Sequence, residues 1–141
     1  MAFNYDHNCF CCGERNARGL QLKFVKEGDY VRTTFVPTEV YEGYPGIMHG
    51  GITSTILDEI MSQCLNYLGL LGFTARLEVR FRHHVPLNRP VCFEAQIVKR
   101  KSSLVETCAR AILADGSIAA EATGRFMLIS REKQAGQPGS T

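Results

Sequence analysis

The 141-residue sequence lacks the features that would place a protein at a membrane. No apolar run approaches the roughly 18 residues that a membrane-spanning helix needs, and the start lacks the charged and then apolar pattern of a secretory signal. A strong charge of either sign is also missing, since 16 Lys and Arg residues stand against 14 Asp and Glu residues. We therefore expect a soluble, cytoplasmic protein without nucleic-acid or membrane partners.

The sequence also lacks the paired cysteine motifs of a structural zinc site or a disulfide scaffold. Three of its six cysteines, Cys9, Cys11 and Cys12, crowd near His7, but no second Cys-x-x-Cys pair follows at a suitable spacing. We therefore predict no metal site and interpret these residues as free or locally packed thiols. The other three cysteines lie in apolar segments and are expected to be buried.

A single stretch with helical periodicity interrupts an otherwise strand-like sequence. From Gly50 to about Leu68, apolar residues fill more than half of the helical circumference, which predicts a helix that is buried on most of its surface. Alternating segments joined by short turns surround this helix and indicate antiparallel strands. The predicted strands are 20–25, 30–36, 77–82, 91–98, 104–113 and 118–129.

These elements predict an α+β fold in which an antiparallel sheet wraps around one long central helix. One sheet face would cover the helix and the opposite face would need a partner, so we expect a homo-oligomer. Residues 1–18 are predicted to form an irregular cysteine-containing segment, residues 19–130 the folded domain, and residues 131–141 a disordered tail.

Two adjacent glycines, Gly50 and Gly51, stand where a loop enters the helix. The first N–H groups of a helix lack intrahelical partners, and the helix dipole adds partial positive charge there. Without side chains in the way, a ligand carbonyl can approach these donors, as in an oxyanion hole. The alternative is that the glycines only permit a tight turn or close packing, and the residues alone leave both interpretations open.

Acidic and histidine side chains flank this glycine pair. Asp58 lies at the border of the apolar arc, where it could activate water or attack a carbonyl directly; the alternative is a structural acid at a subunit interface. Glu59 falls on the polar arc and is expected to be a solvated surface acid. His49 could polarise a carbonyl or act as a base, although a role in fixing the turn is favoured. His83 and His84 are adjacent in a strand pattern and are predicted to face opposite ways.

Two longer motifs resemble the hotdog-fold acyl-CoA thioesterases of the phenylacetate-degradation (PaaI-like) type: "YPGIMHGGITSTILDE" at 44–59 and "TARLEVRFRHHVPL" at 74–87. The opening "CFCCGERNARGLQLKF" is similar to the start of one branch of that family. The resemblance covers roughly residues 9–130. It implies the hotdog fold, a long helix gripped by a curved antiparallel sheet, with a dimer as the minimal unit. No cofactor is expected.

By position, the resemblance implies that Asp58 is the nucleophile or general base of thioester hydrolysis and that the N–H of Gly51 polarises the thioester carbonyl. The two groups would come from opposite subunits or from adjacent faces of the dimer site. The phosphates of CoA need cations, for which arginines on one strand face are suited. The candidate substrate-binding residues are Gly50, Ile47, Thr74, Arg80 and Arg82.

One position departs from the family pattern. Some relatives carry Asn or Gln six residues before the motif's histidine, where this sequence has Gly43. Either Glu42 or His49 would then position the carbonyl or the water, or this branch would be catalytically weak. Thr74 and Arg76 are candidates for a second polar helper.

Three hypotheses follow. The first is hydrolysis of an acyl-CoA to the free acid and CoA by a homodimer or a dimer-of-dimers tetramer. The second is a non-catalytic acyl-CoA-binding or sensing module on the same fold, which the glycine at position 43 favours. The third is a hotdog dehydratase acting on hydroxyacyl thioesters, for which His49 and Asp58 would have to share one site.

Overall fold

The structure is a computed structural model and describes residues 8–129. His7 and the tail predicted at residues 131–141 lie outside the described residues. Residues 8–129 contain one long helix, one 3-10 turn and six strands. In chain order these are β1 (Val25–Glu27), β2 (Tyr30–Phe35), the 3-10 turn (Glu39–Tyr41), α1 (Gly50–Asn66), β3 (Gly72–Phe81), β4 (Val91–Lys101), β5 (Leu104–Leu113) and β6 (Ile118–Leu128).

All six strands form one curved antiparallel sheet in the order β1-β2-β4-β5-β6-β3, with α1 packed on one face. The core lies between them: Ile56, Leu57, Ile60 and Met61 of α1 are fully buried, as is Phe126 of β6. The predicted α+β architecture of the hotdog fold, with a long helix gripped by an antiparallel sheet, is therefore confirmed.

Irregularities in strand pairing accompany the curvature of the sheet. The register shifts between Thr74 and Arg76 in the β3–β6 pair, and similar shifts occur in the β4–β5 and β5–β6 pairs. An extra residue in one strand of an antiparallel pair bends that strand and increases its twist. The sheet can therefore wrap around a single helix instead of lying flat beside it.

The prediction of a strand at residues 20–25 was wrong for most of its length, because only Val25 belongs to β1. Gln21 has a positive φ of 52°, which interrupts an extended strand. Instead of joining the sheet, this stretch bonds to the N-terminal turn: Leu22 N–H donates to the Cys11 carbonyl at 2.8 Å. Cys11, Leu20 and Leu22 are buried in the common core, so the cysteine-containing segment packs against the folded domain.

The face of the sheet turned away from α1 carries cross-strand ion pairs. Arg32 and Arg110 both contact the carboxylate of Glu94, which is only 4% exposed. Burial alone would raise the pKa of Glu94, but hydrogen bonds from Arg110 and Arg32 outweigh it and hold the pKa below its usual range. This face therefore pairs charges within the chain, and the homo-oligomer expected from the sequence stays a prediction.

Candidate active site

A groove of about 1040 Å³ opens at the N-terminal end of α1. The loop between the 3-10 turn and α1 forms one wall, and the chain just after β3 forms the other. Hydrogen bonding joins the walls, because Met48 N–H donates to the Val85 carbonyl at 2.8 Å. The residues lining the groove include Glu42, Tyr44, Ile47, His49, Gly50, Gly51, Ser54, Phe81, Arg82, His83, His84 and Val85.

The two glycines at the helix start differ in hydrogen bonding: the N–H of Gly51 is bonded, and the N–H of Gly50 is not bonded within residues 8–129. Gly51 N–H donates to His49 Nδ1 at 2.9 Å, so His49 caps the helix with its side chain. The next two N–H groups, of Ile52 and Thr53, donate to the His49 carbonyl. Gly50 N–H has no acceptor among residues 8–129. The amide predicted to polarise the carbonyl, that of Gly51, is therefore engaged, and its neighbour is open to the groove.

Asp58 forms a close hydrogen bond with the sheet. Thr74 Oγ1 donates to Asp58 Oδ1 at 2.7 Å, and Asp58 forms no ion pair with residues 8–129. The carboxylate is half-buried, as its position on the apolar border predicted. Thr74 sits at the start of the register shift in β3, and a bulge of this kind re-aims a side chain. The structure thus joins the predicted acid to one of its two predicted helpers.

The free amide and the carboxylate do not meet within one chain. Eight residues separate Gly50 from Asp58, which is about 12 Å along a helix that rises 1.5 Å per residue. Ser54, one turn before Asp58, still lines the groove, but Asp58 and Thr74 do not. A single carbonyl group cannot contact a donor and an acid that are so far apart.

The other predicted binding residues are only partly gathered at the groove. Ile47 is half-buried in its wall, and Arg82 lines it while pairing with Glu121 at 3.0 Å. Arg80 lies on β3 outside the groove lining. Arg76, the other candidate helper, is 3.5 Å from Glu78 and does not contact Asp58.

The glycine that departs from the family pattern packs directly against the cap. A Cβ added at Gly43 would lie 3.1 Å from the Cα of His49, so a larger side chain there would press on the residue that caps α1. Glu42, considered as a replacement helper, accepts a hydrogen bond from Gly46 N–H at 2.6 Å and holds the loop.

Sequence reasoning did not place both members of the histidine pair, or the aromatic residues Tyr44 and Phe81, in the groove. His83 and His84 both line it, although strand alternation predicted opposite orientations. Alternation does not apply because β3 ends at Phe81, and the chain then leaves the extended geometry. The signal available in the sequence was Pro86, which marks the end of a strand run.

The prediction that Glu59 is a solvated acid was wrong. Glu59 is half-buried, accepts a hydrogen bond from Gln63 Nε2 at 2.9 Å and lies 3.3 Å from Cys12 Sγ. Burial raises the pKa of its carboxyl group. Hydrogen bonds from Cys11 and Cys12 lower the pKa of Cys9. These groups lie outside the lining of the groove.

Comparison with known proteins identifies the family of this chain. Residues 45–120 match the family model described as the thioesterase superfamily. Acyl-coenzyme A thioesterase THEM4 from Bos taurus is 29% identical over 129 residues, which make up 89% of this chain and 53% of THEM4. The chain therefore spans about half the length of that relative. Within residues 8–129, no helix combines the length and apolar character needed to cross a bilayer.

Two solved structures share the fold of this chain. A protein described as a thioesterase superfamily protein aligns with a TM-score of 0.77 at 28% identity, covering 82% of this chain and 60% of that one. A hypothetical thioesterase from Streptococcus pneumoniae TIGR4, solved with coenzyme A, aligns with a TM-score of 0.73 at 19% identity, covering 77% of this chain and 89% of that one. Mutant structures of that protein carry an Asp→Ala or a Thr→Ala substitution, at positions sixteen residues apart.

The family model covers more than half of the chain, and the fold is the one that the sequence motifs implied. This protein belongs to the thioesterase superfamily.

Proposed function

We propose that the protein hydrolyses an acyl-CoA thioester to the free acid and CoA. The observation that carries this proposal is the carboxylate of Asp58, held by Thr74 at 2.7 Å and free of any ion pair with residues 8–129. The name of THEM4 as an acyl-coenzyme A thioesterase supports the substrate class. The two positions substituted in the Streptococcus pneumoniae protein have the same residue types and the same spacing as Asp58 and Thr74.

We place the carbonyl-polarising donor at Gly50. Gly50 lines the groove and its N–H has no acceptor among residues 8–129, whereas the N–H of Gly51 is held by His49. A donor fixed at a helix start stabilises the oxyanion that forms when the thioester carbonyl is attacked. In this proposal His49 holds the helix start and orients the donor, without itself exchanging a proton.

The rise of about 12 Å along α1 from Gly50 to Asp58 leads us to place the donor and the acid of each site on different chains. Gly50 of one protomer and Asp58 of another would flank one thioester in a homodimer. β3 is the suited contact because it is a ten-residue edge strand with exposed Phe73, Leu77 and Phe81. A long apolar edge strand offers unpaired N–H and C=O groups to a second strand.

The chemical steps follow from these positions. Asp58 Oδ1 accepts from Thr74, which leaves Oδ2 to take a proton from water or to attack the carbonyl carbon itself. The carbonyl oxygen becomes an oxyanion facing the Gly50 N–H, and collapse of the tetrahedral intermediate breaks the C–S bond and releases the CoA thiolate. If water attacks, this collapse gives the free acid directly, and the proton held by Asp58 passes to the thiolate. If Asp58 attacks, the collapse leaves a mixed anhydride on Asp58, which a water molecule then hydrolyses to the free acid and the restored carboxylate. The groove would hold the substrate, with Ile47 beside the acyl chain and Arg82 beside the phosphates of CoA.

The test is a thiol-release assay over a panel of acyl-CoAs with the wild-type protein, Asp58→Asn and a matched control, Asp29→Asn. Asp29 is an exposed turn acid far from the groove lining. Loss of a base or nucleophile should lower kcat by about 10²-fold or more, while the control should keep the wild-type rate. Equal rates for Asp58→Asn and the wild type would remove Asp58 from the mechanism.

One observation favours a second candidate, a non-catalytic acyl-CoA-binding module. Gly43 leaves no polar side chain at the position where some relatives carry an Asn or Gln helper, and its Cα region is packed against His49. This candidate predicts that calorimetry detects acyl-CoA binding while no free thiol accumulates over hours. Turnover of any acyl-CoA in the panel would contradict it.

A further inference from the structure

A cluster of metal-ligating groups lies where the N-terminal turn packs on α1. Cys9 Sγ, Cys12 Sγ and a carboxylate oxygen of Glu59 all lie within 4.8 Å of one another. Glu59 Oε2 is 3.3 Å from Cys12 Sγ and 4.0 Å from Cys9 Sγ. The three residues are half-buried, so a small ion can reach them from solvent.

These separations suit a tetrahedral ion. With Zn–S bonds of about 2.3 Å and Zn–O bonds of about 2.1 Å, neighbouring ligand atoms of a tetrahedral site lie about 3.6–3.8 Å apart. The two sulfur-to-oxygen distances fall on either side of that value. Side-chain shifts of a few tenths of an ångström would bring both sulfur-to-oxygen distances to that value, and the two sulfurs themselves lie within 4.8 Å of each other.

The backbone of the turn brings the two cysteines together. Gly13 N–H donates to the Cys9 carbonyl at 2.8 Å, which closes the turn directly after Cys12. A Cβ at Gly13 would lie 2.4 Å from Cys9 N, so this turn requires glycine. Cys11 N–H donates to Cys9 Sγ at 3.4 Å, a contact that supplies a donor to a sulfur ligand.

The cluster carries acidic groups without a cation. Glu59 forms no ion pair with residues 8–129, and a half-buried carboxylate without a positive partner is costly. Its hydrogen-bond donor is the neutral amide of Gln63, whose Nε2 is also 3.8 Å from Cys12 Sγ. Outer donors of this kind orient metal ligands. Two thiolates and one carboxylate would receive from a divalent ion the positive charge that the cluster lacks.

We propose that Cys9, Cys12 and Glu59 bind one thiophilic divalent cation, with Zn²⁺ as the best match and water at the fourth corner. Sulfur ligands favour zinc over magnesium or calcium, which take oxygen donors. Binding converts two thiols to thiolates and releases their protons to solvent. The ion joins the N-terminal turn to the middle of α1, so the site differs from the groove and from the Asp58–Thr74 pair. The sequence argument against a metal counted only cysteine pairs and did not include an acid from the helix.

The test uses chelator-stripped, reduced full-length protein titrated with Co²⁺ and then Zn²⁺. We expect about one equivalent of Co²⁺ with a thiolate charge-transfer band, and displacement of that band by Zn²⁺. The double substitution Cys9→Ser and Cys12→Ser should abolish the band. A matched double substitution at two cysteines on the sheet, Cys92→Ser and Cys108→Ser, should leave it intact.

Two further variants keep the test decisive if the double variant fails to fold. Glu59→Gln keeps the size of the side chain and should weaken Zn²⁺ binding and alter the Co²⁺ spectrum. Gln63→Ala removes only the outer donor and should weaken binding by about 10–100-fold. Absence of a thiolate band in the wild type, or an unchanged affinity in Glu59→Gln, would overturn the proposal. So would equal loss of binding in the Cys92 and Cys108 control.

Discussion

At the scale of single residues, the start of α1 has one amide that is hydrogen-bonded and one that we propose as the oxyanion donor. The imidazole of His49 satisfies Gly51 N–H, and the preceding amide at Gly50 remains open at the groove. A cap of this kind contributes about 1 kcal/mol to helix stability. His49 therefore fixes the direction in which the free amide points.

Gly50→Pro tests the backbone amide, because proline has no N–H to donate. Proline is well tolerated at the first position of a helix, and His49 already has the extended φ of −60° and ψ of 130° that a residue before proline adopts. We expect Gly50→Pro to lower kcat by about 10²–10³-fold, because it removes the oxyanion donor. Thiol-release kinetics measure this effect.

Gly50→Ala is the matched control because it keeps the N–H. Its Cβ would lie 3.6 Å from the Phe81 ring, an ordinary contact. A rate for Gly50→Ala as low as that of Gly50→Pro would show that space at this position matters and the amide does not.

The Thr74 hydroxyl is a second residue-scale test. Thr74→Val keeps the side-chain shape and removes the donor to Asp58 Oδ1. A hydrogen bond to a charged group is worth about 1.5–3 kcal/mol, so kcat should fall by about 10–100-fold with little change in KM. Thr74→Ser should retain most of the activity. If Thr74→Val matches the wild type across the pH range, Thr74 does not position Asp58.

At the scale of elements, α1, the edge strand β3 and the outer face of β4 and β5 contribute different parts of the structure. α1 provides the core with Ile56, Leu57 and Ile60. Its N-terminal end lines the groove, and its Asp58 contacts Thr74 of β3. β3 provides Thr74 and the wall of the groove. β4 and β5 hold the outer face through ion pairs that match across the strands, since Glu94 lies opposite Arg110 in register.

The Glu94 cluster predicts a pH dependence of stability. Its carboxyl pKa is lower in the folded protein than the ordinary value, so its contribution is complete above the unfolded pKa and is lost as the pH falls through the folded pKa. Glu94→Gln should lower the free energy of unfolding by about 2–4 kcal/mol at pH 7, and by less in acid. Urea unfolding of the wild type and Glu94→Gln, at pH 7 and at an acidic pH, measures the free-energy difference between them at each pH.

Glu106→Gln is the control for this experiment. Its pair with Arg125 is solvent-exposed, so the loss should be below about 1 kcal/mol at either pH. Equal effects of the two substitutions would contradict the special role of the buried carboxylate.

At the scale of the whole molecule, the proposed site needs two copies of the chain. A protomer with Asp58→Asn keeps its own Gly50, and a protomer with Gly50→Pro keeps its own Asp58. When the two inactive proteins are unfolded together and refolded as an equal mixture, half of the dimers should be mixed, each with one intact site. The mixture should recover about one quarter of the wild-type activity, whereas a site built within one chain would recover none. Refolded wild-type protein is the reference.

The sequence predicted the architecture well because helical and strand periodicities follow burial directly. The apolar positions of α1 and the alternation in β5 required no knowledge of their partners. The strand at residues 20–25 failed because the positive φ of Gln21 follows from tertiary bonding to the N-terminal turn, which periodicity does not reveal. For the same reason, Glu59 was misplaced: the helical wheel shows which side faces away from the sheet, but not that a distant turn covers that side.

Within the candidate site, Thr74 was found as one of two helpers, and the bulge selects it over Arg76 as the residue that contacts Asp58. The hydrogen bond from Gly51 N–H to His49 Nδ1 was not predictable from the sequence, because it depends on the rotamer of His49. The groove residues His83 and His84 depend on where β3 ends, a boundary that the pattern places only to within a few residues.

The bulge between Thr74 and Arg76 divides β3 into two sections, each with its own pairing register to β6. From Arg76 to Phe81 the strand follows one register with β6, and this section ends at the groove wall. From Gly72 to Thr74 it follows another, which sets the hydroxyl beside the helix. A shift in register confined to the section Gly72–Thr74 would therefore move the Thr74 hydroxyl away from Asp58 while the section that ends at the groove keeps its pairing with β6. The surroundings of the carboxylate and the shape of the groove can thus be altered separately within one strand.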